Sequence, residues 1–139
     1  VSREIELATE RSYTYILLGI GANDIVRFKD AQVAAQELSD VISKLPSHDH
    51  LIVYMAGNVG ATQLFPIFLN RSYTRLTLAY HEAFKRTVED AGGVYVNLYV
   101  APENDPFTRD PARYFAADGF HPSSEGYLVW FEKIVPVLE

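Results

Sequence analysis

Three short apolar runs, spaced by amphipathic helical patterns, constrain this chain more than any other feature. Residues 13–20 (YTYILLGI), 51–56 (LIVYMA) and 94–100 (VYVNLYV) are strand-length and nearly continuous in apolar and aromatic residues. That is the pattern of strands buried on both faces, as in a parallel sheet. Between the first two, Ala34, Leu38, Val41, Ile42 and Leu45 recur at three- and four-residue steps, predicting a helix over 30–45 with Asp30 as N-cap and Pro46 as its stop. Between the second and third, Leu76, Tyr80, Ala83, Phe84, Val88 and Ala91 predict a helix over 73–91 closed by Gly92-Gly93.

After the third run, Pro102, Pro106 and Pro111 predict an irregular stretch over 101–113. Ser123 or Ser124 is placed to cap a last helix carrying Tyr127, Leu128, Phe131, Ile134 and Val135, which Pro136 kinks or ends. Strand, helix, strand, helix, strand, helix argues for an α/β layered domain with a parallel sheet and right-handed crossovers. Neither repeats nor a linker divide it, so residues 1–139 read as a single domain.

Three strands make a narrow parallel sheet, below the usual four to six or so. The chain opens with Val1, and residues 1–11 (VSREIELATER) carry neither a signal-peptide pattern nor a helix-start signal. They read as the tail of a helix whose start is missing. The expectation is a partial domain, roughly the C-terminal two-thirds of a doubly wound fold, with further residues once preceding Val1. The first run would then have an unpaired apolar edge, to be covered by an N-terminal segment of the same protein or by another chain.

Composition narrows the chemistry. Twelve Lys and Arg against eighteen Asp and Glu give a net charge of -6 without a basic run, which argues against nucleic acid as a partner. The chain has no cysteine, which removes disulfides, thiolate metal sites and a Cys nucleophile from it. The apolar runs fall far short of the roughly 20 residues that span a bilayer, so no transmembrane segment is expected. The compartment is not legible.

In open α/β sheets a ligand site lies beyond the carboxyl ends of the strands. Two polar groups of residues fall there: Gly21-Ala22-Asn23-Asp24 after the first run, and Asp118-Gly119-Phe120-His121-Pro122 before the last helix. An Asp three residues before a His on a short turn can accept the Nδ1 proton and leave Nε2 as a general base. An Asn at a strand end can offer its side-chain N–H to a developing oxyanion. Taken alone, each block is also explained by turn formation, because Asn and Asp favour turns through their own backbone bonding.

Together and in this order, the two blocks resemble the GxND and DxxHP blocks of the SGNH (GDSL-type) hydrolases, and Ser123-Ser124-Glu125-Gly126-Tyr127 resembles the start of that family's final helix. The resemblance implies a flavodoxin-like three-layer α/β/α fold and hydrolysis of an ester without a cofactor. It casts His121 as general base, Asp118 as its orienting carboxylate, Asn23 as an oxyanion-hole donor and Asp24 as a loop-bracing residue. The substrate would be a small-molecule ester of a kind the blocks do not specify. The chain departs from the family in one respect: the GDS block with the nucleophilic serine, and the block with the oxyanion glycine, precede GxND in the family and are not found here. Ser2, Ser12, Ser39, Ser43, Ser47, Ser72, Ser123 and Ser124 sit before the first run, on a helix, in loops or at a cap, and no G-x-S-x-G elbow occurs. The nucleophile is expected upstream of Val1.

Several features compete for attention. His48-Asp49-His50 reads as a polar surface loop rather than a metal site, since no third ligand follows at a recognisable spacing. His81 reads as a half-exposed helix residue. Tyr95, Tyr99, Phe107, Tyr114, Phe115 and Phe120 either line an acyl or sugar pocket or pack in core and loops. Residues 57–60 (GNVG) either border the pocket or form a turn. The rival to an esterase is a catalytically inactive binding domain or truncated fragment of the same fold. A flavodoxin-like cofactor or receiver domain lacks a Gly-rich phosphate loop here.

Overall fold

A computed structural model describes residues 11–138. Three parallel strands, β1 (Tyr13–Gly19), β2 (His48–Met55) and β3 (Val94–Asn97), lie in the order β1-β2-β3. The helices are α1 (Ala22–Val26), α2 (Ala31–Ile42), α3 (Asn70–Asp90), α4 (Pro106–Arg109), α5 (Pro111–Tyr114) and α6 (Ser124–Ile134). Single 3-10 turns occupy Val59–Ala61, Ile67–Leu69 and Val135–Val137.

The central strand divides the core. Alternate side chains of a strand point to opposite faces. Leu51, Val53 and Met55 join Leu38, Tyr80, Phe84 and Val88 in a cluster under α2 and α3, whereas Ile52 joins Val96, Leu98 and Ile134, with Tyr54 and Trp130 packed against them, under α6. The result is an α/β/α three-layer arrangement, as the resemblance implies, around the parallel sheet that the strand–helix pattern predicts. Tyr80 and Phe84 are fully buried and 5.4 Å apart between ring centroids, so truncating Phe84 to Ala is expected to cost about 3–5 kcal/mol.

The N-cap signals act as read, but α2 ends at Ile42 rather than running to Leu45, short of the expected stop at Pro46. Asp30 caps α2 by accepting from the backbone N–H groups of Gln32 and Val33 at 2.8 and 3.2 Å. Ser123 caps α6, accepting from Gly126 N–H at 3.2 Å. Helix α3 starts at Asn70, three residues before the expected position, because the turn at Ile67–Leu69 runs directly into it. The proline-rich stretch is not wholly irregular. Pro106 and Pro111 each sit at the first position of a one-turn helix, where a missing N–H costs nothing.

Other expectations are corrected. Strand β2 begins at His48, so His48-Asp49-His50 is strand rather than loop; these residues pair with β1, and the His50 ring stacks on Tyr15 at 4.8 Å. Strand β3 ends at Asn97, whose side chain accepts from Tyr99 N–H and turns the chain. Burial on both faces holds for β2 from Leu51 on, but not for β1, where Tyr15 and Leu17 are 43% and 46% exposed, nor for β3, where Val94 and Asn97 are exposed. The core beneath α6 is built from β2 and β3, while the side chains of β1 that pack, Ile16 and Leu18, belong to the α2–α3 side. Tyr15 itself reaches the residue that follows the Val135–Val137 turn, its hydroxyl donating to the Leu138 carbonyl at 3.3 Å.

The inward stripe of α6 is also rotated from the one expected. Tyr127, Leu128 and Phe131 are more than half exposed, and Gly126, Trp130 and Ile134 face inward. Gly126 sets this rotation: a Cβ there would lie 2.3 Å from the Tyr114 carbonyl oxygen. The reading of residues 1–11 as a helix tail falls, for 1–10, outside the described residues.

Candidate active site

The sheet's carboxyl edge is where both polar blocks arrive. Strand β1 leaves the sheet at Gly19, and Gly21 then adopts φ 103°, a conformation that favours glycine. A Cβ at Gly21 would also meet Phe84 at 2.9 Å and Met55 at 3.0 Å, so the bend is seated directly on the core. The bend launches α1, which carries Asn23 and Asp24 on a helical turn rather than a simple loop. Asp24 lies 3.7 Å from the Lys29 ammonium and its carbonyl accepts from Lys29 N–H, which closes the segment on itself. Lys29 also pairs with Glu37 of α2.

The second block is a tightly tied turn. Ala116 N–H donates to the His121 carbonyl, Gly119 N–H to the Ala116 carbonyl, and Phe115 forms an antiparallel bridge with Pro122. Within this frame the Asp118 carboxylate has two tasks. Its Oδ1 accepts from the backbone N–H groups of Phe120 and His121, both at 2.9 Å, and its Oδ2 lies 2.7 Å from His121 Nδ1. The contact with His121, helped by the two backbone donors, holds the Asp118 carboxyl down at about 2. A carboxylate ionised throughout the working range keeps the proton on Nδ1, leaving Nε2 as the basic nitrogen.

A pocket of about 250 Å³ joins the blocks. Gly21, Ala22 and Asn23 line one part of it, residues 56–59 another, and Phe120, His121 and Pro122 a third. Asn23 and His121 are both exposed, so the polar side of the site is open to solvent. Of the six aromatic candidates, Phe107, Phe115 and Phe120 line the pocket, while Tyr95, Tyr99 and Tyr114 do not. Tyr54, Tyr127 and Trp130 line it without having been singled out. Tyr127 and Trp130 stand at an i, i+3 spacing that was available in the sequence, but an apolar helical stripe looks the same for a core and for a pocket wall.

The remaining lining groups bear on chemistry by what they are already doing. Thr62 donates its hydroxyl to the Val59 carbonyl at 2.9 Å. Asn58 accepts from Gly60 N–H and from the Thr74 hydroxyl, both at 3.0 Å, pinning the 57–60 turn to α3. Asp105 caps α4, and its burial raises its pKa. None of the described serines lines the pocket.

His81 is buried rather than half-exposed, at 4% exposure. Its Nδ1 lies 2.7 Å from the Tyr95 hydroxyl. Desolvation outweighs the pull of the Ala56 backbone and, with Lys133 nearby, lowers its pKa to about 4.

A family profile described as the GDSL-like Lipase/Acylhydrolase family matches residues 2–129. The chain belongs to that family. Membership supports a general hydrolase role, and the parallel sheet between helical layers is the α/β arrangement expected of an SGNH-like fold. No curated protein sequence matches the chain. For this member of the GDSL-like family, the open edge of the sheet and the two polar blocks there define the region in which a hydrolytic site is to be sought.

Proposed function

We propose that this domain supplies the acid–base half of a serine ester hydrolase, with His121 as general base, Asp118 as its orienting carboxylate and Asn23 as an oxyanion donor. The nucleophilic serine belongs to a segment upstream of Val1, in the position that the family's GDS block occupies. The reading rests above all on the 2.7 Å contact between Asp118 Oδ2 and His121 Nδ1 at the rim of a pocket that Asn23 also lines.

In this reading His121 Nε2 takes the serine proton as the hydroxyl oxygen attacks the ester carbonyl. The tetrahedral oxyanion accepts a hydrogen bond from the Asn23 side-chain amide, an interaction worth on the order of 10²-fold in rate. Collapse expels the alcohol, which leaves with the proton from His121. Water, activated by the same nitrogen, then hydrolyses the acyl-enzyme. Asp118 stays ionised and stabilises the imidazolium at each stage. The aromatic walls at Phe107, Phe115, Tyr127 and Trp130 suit the acyl portion.

Treatment of the purified protein with a fluorophosphonate probe, followed by intact masses of every polypeptide present, tests this. A label on an accompanying N-terminal piece is expected. A label on this chain would overturn the placement of the nucleophile, and no label anywhere would favour a catalytically inactive binding domain.

A further inference from the structure

The two most exposed large apolar side chains of the described residues, Ile67 and Phe68, lie together beside the candidate site, apart from the exposed apolar residues of β1 and α6. Ile67 is 85% exposed and Phe68 77%, on the one-turn helix between β2 and α3, and Leu64 is exposed just before them. Phe28, half exposed and held at φ 54°, packs at a tilt against Tyr73 with ring centroids 4.5 Å apart, and Phe65 stacks on the same Tyr73 at 3.9 Å. The loops after β1 and after β2 are thereby fastened into one apolar surface. Gln63 N–H donates to the Gly119 carbonyl at 2.8 Å, which ties that surface to the turn carrying Asp118 and His121.

The surface is continuous with the pocket. Phe65, Ile67 and Arg71 line a second cleft that shares Asn58, Thr62 and Phe107 with the first. Its charge differs from that of the whole chain, which is -6. Arg27 adjoins Phe28, and Arg71 and Arg75, one helical turn apart on α3, follow Phe68; all three are exposed. The acidic groups nearest in sequence are already engaged, Asp24 with Lys29 and Asp30 with the backbone of α2. Exposed large apolar side chains fringed by cations suit an interface with an anionic lipid layer, in which the rings and aliphatic groups enter the acyl boundary and the guanidinium groups meet phosphates.

We propose that Leu64, Ile67, Phe68 and Phe28, with Arg27, Arg71 and Arg75, form a docking face for an anionic phospholipid surface, which sets the mouth of the pocket against the lipid. This rests on the acyl-ester reading for its biological purpose, and it narrows the substrate to an ester drawn from a lipid layer. Binding itself is measurable without catalysis.

The test is cosedimentation of the full chain with vesicles of phosphatidylcholine containing phosphatidylglycerol, compared with phosphatidylcholine alone. The wild-type chain is expected to sediment with the anionic vesicles, and the double variant Ile67→Ser/Phe68→Ser to bind at least about tenfold more weakly. Because both side chains are exposed, its circular dichroism is expected to match wild type. Arg71→Glu/Arg75→Glu is expected to remove the preference for anionic vesicles. Equal binding by wild type and the Ser variant, or no binding by wild type, would overturn the proposal. A dimer that Ile67→Ser/Phe68→Ser dissociates, without vesicle binding, would also overturn it and assign the face to a second copy. Sedimentation through Ile67 and Phe68 by a protein that includes the upstream serine segment yet hydrolyses no ester would leave the docking face standing and refute the acyl-ester reading.

Discussion

Asp118 holds His121 by two hydrogen bonds and its neighbour Phe120 by a third: Oδ2 lies 2.7 Å from the His121 ring Nδ1, and Oδ1 accepts the backbone N–H groups of His121 and Phe120. One carboxylate thus fixes the backbone position, the ring orientation and the tautomer of the same histidine. A four-residue turn can do this because Gly119, at φ 67°, reverses the chain between them.

Asp118→Asn separates these tasks. The amide oxygen can still accept from Phe120 and His121 N–H, so the turn and the melting temperature are expected to be little changed. The ring nitrogen loses its anionic partner, and ester turnover is expected to fall by at least about a hundredfold. Steady-state rates on a soluble ester, measured on the complete protein with its upstream serine segment, beside a thermal melt, check both halves.

Asn23→Ala is expected to lower kcat by on the order of 10²-fold with a small change in KM, since an oxyanion donor acts chiefly in the transition state. Asn23 is exposed, so stability is expected to hold. A change in KM alone would reassign it to substrate binding.

Acid stability depends on His81. Its folded pKa of about 4 lies below the ordinary value of 6.5. Between those values the unfolded chain binds a proton that the native one does not, so stability falls as pH drops from about 6.5 to about 4, by on the order of 3 kcal/mol. Denaturant melts across this range should show the slope, and His81→Gln should flatten it. Asp118 acts lower on the scale. Its depressed pKa contributes stability that is present above about 4 and lost as pH approaches 2.

Gly126→Ala is expected to destabilise by about 1–3 kcal/mol, because the new methyl would press on the Tyr114 carbonyl and push α6 from the sheet. Trp130 and Tyr127 would move with it, so chemical denaturation and intrinsic tryptophan fluorescence should shift together.

The layers were legible in the sequence because buried strands and amphipathic helices differ in period, and Asp30, Gly92 and Ser123 mark ends of helices. What escaped depends on contacts between distant residues. The exposed face of β1 follows from where α6 lies, which the run YTYILLGI does not encode. The rotation of α6 follows from the Tyr114 carbonyl above Gly126. The burial of His81 follows from its pairing with Tyr95 across elements. In the candidate site, Asn23, Asp118 and His121 were legible because short blocks of polar residues punctuate apolar runs. Tyr54, Tyr127 and Trp130 were not, since an aromatic wall and an aromatic core share one pattern.

The central claim is that His121 carries the proton transfers of ester hydrolysis. Hydrolysis of a short-chain nitrophenyl ester by the complete protein, with the segment that carries the nucleophilic serine, should be compared for wild type and His121→Ala, with circular dichroism to confirm that both are folded. A rate reduced by about a thousandfold or more is the expected result; an unchanged rate would contradict the claim.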